Sequence, residues 1–131
     1  MTLDPTELLA HARDARDRAY VPYSGFRMGA AVLTDQGTIV EGVLVENVSL
    51  GLAMCAERVA LFSAITIGSR PVALALVARR TDGELTYPCG ACLQVALELG
   101  GPDVEVLVAD LGGATETATV GALLPRGPKK S

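Results

Sequence analysis

The 131-residue sequence predicts an α/β layered domain, on three observations. Apolar runs of strand length alternate with segments of helical length, turn signals separate them, and 50% hydrophobic content is enough for one core. The chain carries no internal repeat, low-complexity linker or composition break, so residues 1–131 read as a single domain with Arg126 to Ser131 as a flexible tail.

The elements follow in order. Asp4 and Pro5 with Glu7 predict a helix start, since proline suits the first helical position and an acid suits the first turn. Leu8, Leu9, Ala12, Ala15 and Ala19 then recur at helical spacing up to Tyr20, while Arg13, Asp14, Arg16, Asp17 and Arg18 form a solvated, ion-paired face. Phe26 to Thr34 reads as a strand, Asp35-Gln36-Gly37 turns it, and Thr38 to Val43 returns as its hairpin partner. Cys55 to Ile67 is a helix, Val72 to Arg79 a strand ended by the Asp82-Gly83 turn, and Cys89 to Leu99 a helix stopped by Gly100-Gly101. Val104 to Ala109 is a further strand, and Thr115 to Thr119 a last short one.

Composition excludes several classes of partner. Lys and Arg total 11 against 15 Asp and Glu, and a net charge of −4 does not suit a polyanion, whose phosphates need clustered cations. Three Tyr, two Phe and no Trp supply no base-stacking platform, so a small molecule is expected rather than nucleic acid. The amino terminus Met-Thr-Leu-Asp-Pro-Thr-Glu has no basic or apolar leader, and the longest apolar stretch, Val72 to Ala78, is too short for a bilayer. A cytoplasmic protein without a membrane partner is the expectation.

All three cysteines fall in two short segments, Cys55-Ala56-Glu57-Arg58 and Pro88-Cys89-Gly90-Ala91-Cys92, each at the predicted opening turn of a helix. Thiolates bind metal, and the partial positive charge at a helix amino end favours the ionised sulfur. At a first turn Cys55 and Glu57 can both face the space beyond the helix end, placing the carboxylate beside a metal without ligating it. Three protein ligands leave a tetrahedral zinc one open position, the mark of a catalytic site, and zinc draws the pKa of a water there towards neutrality. Taken alone, C-x-x-C is equally a redox pair or half of a structural zinc knuckle; the third cysteine followed by Ala-Glu favours the catalytic reading. Cysteine-protease chemistry needs a histidine base, and the single histidine, His11, reads as a surface residue of the first helix.

The two cysteine segments match the known signature of the zinc deaminases in its three-cysteine version. Together with Val21-Pro22-Tyr23-Ser24-Gly25-Phe26-Arg27-Met28-Gly29-Ala30-Ala31, Val45-Glu46-Asn47, Gln94 and Leu123-Leu124-Pro125, they make the chain resemble the small, homotetrameric cytidine deaminases from about Tyr20 to Pro125. The resemblance implies a three-layer fold with a mixed five-stranded sheet covered by helices, one Zn2+ per chain held by Cys55, Cys89 and Cys92, Glu57 as the proton carrier, and sites completed by neighbouring subunits. It also implies that Phe26 lines the pyrimidine pocket, Glu46 bonds ribose hydroxyls, and the backbone at Ala56 and Cys89 holds the base edge. Arg58 would bond the cysteine sulfurs and Gln94 would support the same shell, Arg58 offsetting the net negative charge of zinc and three thiolates.

Three positions depart from the family pattern. Leu44 stands where an Asn two positions before the ribose-binding Glu is usual, and a lost hydrogen bond of that kind costs about 1 kcal/mol. Leu93 replaces a common Arg, which leaves Arg58 to balance the site's charge alone. After Leu123-Leu124-Pro125 the chain continues Arg126-Gly127-Pro128 in place of a Phe that reaches a neighbour's pocket. The metal ligands and Glu57 being intact, these changes read as retained chemistry with altered selectivity. The expected reaction is hydrolytic deamination of cytidine or deoxycytidine with release of ammonia. Alternatives are a modified cytosine nucleoside, a nucleoside antibiotic of the blasticidin S kind or another amino heterocycle as substrate, and a zinc protein of this fold without turnover.

Overall fold

The computed structural model describes residues 3–130. In chain order the elements are α1 (Pro5–Arg16), β1 (Met28–Thr34), β2 (Ile39–Val43), a 3-10 turn (Leu50–Leu52), α2 (Ala56–Thr66), β3 (Pro71–Ala78), α3 (Gly90–Gly100), β4 (Glu105–Ala109), β5 (Thr115–Thr119) and α4 (Val120–Leu123). Asp4 caps α1 by accepting from the Glu7 amide at 3.2 Å, as its sequence start predicts. The helix ends at Arg16 and not near Tyr20, because Tyr20 is drawn into a bridge with Val45. β1 likewise begins at Met28, leaving Phe26 in the preceding loop, where Gly25 turns the chain with φ 69°.

The strands form one five-stranded sheet in the order β2-β1-β3-β4-β5. β3 and β4 are parallel and all other pairs antiparallel, so the sheet is mixed. The parallel pair requires a crossover, and α3 supplies it. Strand side chains alternate strictly between two cores. Ala30, Val32, Leu74, Leu76, Val106 and Val108 pack against Ala60, Leu61, Leu93 and Ala96 of α2 and α3. Ala31, Leu33, Ala73, Ala75, Val77 and Leu107 pack against Leu8 and Ala12 of α1. The result is three layers, with α1 alone on one face. No helix among the described residues is long and apolar enough to cross a membrane.

The carboxyl-terminal segment turns back on its own helix. Gly127 donates to the Leu124 carbonyl at 3.3 Å, and the Gln94 side chain donates to the Pro128 carbonyl at 2.9 Å. Ser131, the last residue of the expected tail, lies outside the described residues.

Candidate active site

The site is built from two helix starts. Cys55 is the N-cap of α2 and Cys89 the N-cap of α3, both extended, at φ −68°, ψ 146° and φ −69°, ψ 167°. Their carbonyls accept the first helical bonds, from Val59 at 3.1 Å and Leu93 at 3.0 Å. Neither side chain caps its own helix, so both sulfurs are presented outward. Cys92 sits in the first turn of α3, fully buried. The start of α2 lies close against the sheet because of a missing side chain: a Cβ on Gly42 of β2 would meet the Ala56 carbonyl, and would lie 2.5 Å from the Ala60 nitrogen. Only glycine there lets the sheet press against the first turn of α2.

This arrangement brings the three predicted ligands together. The Sγ atoms of Cys55, Cys89 and Cys92 all lie within 4.8 Å of one another, those of Cys89 and Cys92 at 3.4 Å, and all three thiols are free of disulfides. A tetrahedral zinc with Zn–S near 2.3 Å sets its sulfurs about 3.8 Å apart, so the donor set and spacing fit one zinc ion per chain. The electrostatics agree. Cys92 and then Arg58 hydrogen-bond the Cys55 sulfur and bring its thiol down to about 5, while Cys92, donating towards Cys55 and buried, is pushed up. Arg58 Nη2 reaches the Cys55 sulfur at 3.3 Å, in the role the resemblance implies.

Glu57 is buried to 1% exposure in the first turn of α2, and its Oε1 has no hydrogen-bond partner among the described residues. Burial pushes its carboxyl up to about 7, against the pull of its own backbone amide, and the Cys55 thiolate adds to the rise. A carboxyl near neutrality with one oxygen unspoken for is suited to taking up and returning a proton.

The other expected residues divide. Ala56 is fully buried at the first helical position of α2, its amide among the unpaired donors of the helix start. Glu46 is bonded within the protein: its carboxylate accepts from the Tyr23 amide at 3.0 Å, the Ser24 amide at 3.2 Å and the Ser24 hydroxyl at 2.5 Å. The Ser24 hydroxyl bond, foremost among these, holds the Glu46 carboxyl below its ordinary range. Ser24 Oγ in turn accepts from the Phe26 amide at 3.0 Å, so Glu46 anchors the loop that presents Phe26. Gln94 makes its hydrogen bond elsewhere. It lies two residues beyond Cys92, about 200° around the helix, and bonds Pro128 and not the sulfurs. Leu93 is a core residue, and Leu44 is half-buried, its amide donating to Met28 and its carbonyl accepting from Tyr20.

Sequence reasoning passed over Gly42 and Arg79. A glycine within an apolar strand is the available signal for the first; the second, whose guanidinium lies over the Phe26 ring, has no local signal.

With this geometry established, three comparisons bear on the chain. Residues 4–108 match the family model described as the cytidine and deoxycytidylate deaminase zinc-binding region. The chain is 44% identical to a cytidine deaminase of Halalkalibacterium halodurans over 94% of its own length and 92% of the relative's. A cytidine deaminase of Sporosarcina psychrophila is 42% identical, with 94% and 90% covered. Among solved structures, the cytidine deaminase of Burkholderia pseudomallei superposes with a TM-score of 0.89 at 44% identity, covering 96% of this chain and 100% of that one. That of Mycobacterium tuberculosis gives 0.80 at 40% identity, covering 96% and 98%.

Proposed function

Because the chain belongs to the cytidine and deoxycytidylate deaminase family, we propose that it is a zinc-dependent hydrolase that converts cytidine and deoxycytidine to uridine and deoxyuridine, releasing ammonia. The observation that carries the reading is the buried, half-unpaired Glu57 carboxyl at the helix start that carries Cys55, whose sulfur lies within 4.8 Å of those of Cys89 and Cys92 at the neighbouring helix start.

Zinc held by Cys55, Cys89 and Cys92 supplies, when bound, a Lewis acid that brings water near neutrality in pKa. The chain's own residues do the rest. Glu57 takes a proton from the water that adds at C4 of the pyrimidine and passes it to ring N3. It then takes the proton of the hydroxyl now on C4 and delivers it to the amino group as the C4–N bond breaks and the C4 carbonyl forms, so that cytidine and water leave as uridine and ammonia. Arg58 offsets the net negative charge of the ligand set by its contact with Cys55. The Ala56 and Cys89 amides, free at their helix starts, hold the base edge, and Phe26 forms a wall of the pocket.

The test is ammonia release from cytidine by zinc-loaded protein beside a Glu57→Ala variant; full activity in the variant overturns this mechanism. A second reading, a modified cytosine nucleoside or nucleoside antibiotic as the true substrate, is favoured by two observations. Leu44 offers no polar group on the side of the extended segment it shares with Glu46, and the segment after Pro125 folds onto α3 through Gln94. A substrate panel decides, since strong turnover of plain cytidine with weak turnover of analogues removes it.

The same proposal includes one domain over residues 1–131, a cytoplasmic location, no nucleic-acid partner in view of the net charge of −4, and a homotetramer. Val48, Leu50 and Leu52, at 79%, 87% and 69% exposure, form an apolar stretch shortly before Cys55 in the chain that subunit contact would cover. Light scattering that finds a monomer at working concentration contradicts the tetramer.

A further inference from the structure

Resting on the reading of Phe26 as a wall of the pyrimidine pocket, we propose that Arg79 is a positioning residue for substrate binding, its guanidinium clamping the Phe26 ring from one face at 4.7 Å from the centroid. The ring needs such a clamp. Phe26 lies half-buried in a loop, and the Glu46 and Ser24 bonds fix its backbone without fixing rotation of the ring. A cation stacked over an aromatic face is attracted by the ring's quadrupole and restricts it. With that face covered, only the opposite one remains for a planar base.

Arg79 is free for this task while its basic neighbours are not. Arg80 is committed to Asp110 at 2.8 Å and to the Gly83 carbonyl at 2.9 Å. Arg27, across from Arg79 in the β1–β3 register that pairs Met28 with Ala78, sends its guanidinium to the Asp17 carbonyl at 2.6 Å. Arg79 takes part in none of the ion pairs among the described residues, so no carboxylate neutralises its charge. Its mount is rigid as well. The Arg79 carbonyl accepts from the Thr86 hydroxyl at 2.7 Å, and Thr86 is paired with Thr81 at 2.7 Å, closing the loop after β3.

The test is steady-state ammonia release by zinc-loaded protein carrying Arg79→Ala, Arg79→Lys, Phe26→Ala, or Arg79→Ala with Phe26→Ala. Arg79→Ala is expected to raise KM about two- to five-fold while kcat stays within about twofold, with zinc content and melting temperature unchanged. Arg79→Lys should recover part of the loss, and Arg79→Ala should add nothing once Phe26 is gone. If Phe26→Ala raises KM and Arg79→Ala does not, the clamp is refuted while the pocket stands. An equal effect of Arg79→Ala with and without Phe26 also refutes it, since the guanidinium would then act on substrate directly. If Phe26→Ala leaves KM unchanged, the pocket reading fails and takes the clamp with it. Phe26→Leu replaces Phe26→Ala throughout should the latter not fold.

Discussion

Replacing Gly42 by Ala puts a methyl group where β2 meets the start of α2. That Cβ would lie 2.5 Å from the Ala60 nitrogen and 3.0 Å from the Ala60 Cβ, and against the Ala56 carbonyl. Ordinary van der Waals separation is about 3.5 Å, and two of these neighbours are backbone atoms that cannot rotate aside, so α2 must retreat by about 1 Å. Ala56 stands between Cys55 and Glu57. The retreat therefore carries one sulfur and the proton-moving carboxyl away from Cys89 and Cys92, which ride on α3. A misplacement of that size costs up to about 100-fold in turnover, and forcing a methyl into a packed contact costs about 1–3 kcal/mol of stability. The assay is ammonia release with zinc content and thermal melting measured on the same preparations. Gly112→Ala serves as control, since a Cβ there meets nothing closer than 3.5 Å and should leave all three readings unchanged. Wild-type kcat/KM and full zinc content in Gly42→Ala would show that the close approach does not set the site.

Further outcomes follow from the same geometry. Glu57→Gln keeps the side chain's size and should retain zinc near one ion per chain while kcat falls about 10²–10⁴-fold; metal analysis beside steady-state kinetics checks both halves. Chelation should abolish activity and added zinc restore it where magnesium does not, because thiolates prefer the softer ion; back-titration of apoprotein measures this. For Asp110, burial opposes ionisation, but the Arg80 guanidinium and the amides of Ala114 and Gly112 outweigh it and lower the pKa. A carboxylate depressed in the folded state stabilises above its unfolded pKa of about 4 and loses that contribution as pH falls through the folded value. Asp110→Asn should accordingly melt below wild type at pH 7, and the gap should close on acidification; a gap independent of pH refutes the assignment.

Much of the fold is legible in the residues, and the reasons differ by element. Thr115 to Thr119 is a strand as expected, and the proline and acid at the start of α1 place that start correctly. The end of α1 is misplaced because Ala19 keeps the helical period while Tyr20 is claimed by Val45, a pairing that no local pattern records. α4 and the 3-10 turn are too short to carry a period. At the site, the ligands and Glu57 are legible because their spacing is local to two helix starts. Gly42 against Ala56 and Arg79 over Phe26 are not, since each depends on which elements distant in sequence pack together. Gln94 enters the sequence reading through the resemblance alone, and its bond to the Pro128 carbonyl depends on how the carboxyl-terminal segment folds, which no local pattern records.

Cys55 and Cys89 lie on opposite sides of β3 along the chain, yet their sulfurs meet beyond the edge of the helices. Once the ion is seated, the stretch from α2 through β3 to the opening of α3 becomes a closed ring, fastened at one point outside the backbone ladder. Stripping the ion opens that ring without directly removing any hydrogen bond of the sheet. Circular dichroism would then register little, whereas amide hydrogen exchange around residues 85–93 would quicken. A preparation made in chelating buffer can thus look folded by far-ultraviolet criteria and still be unfastened where substrate must enter.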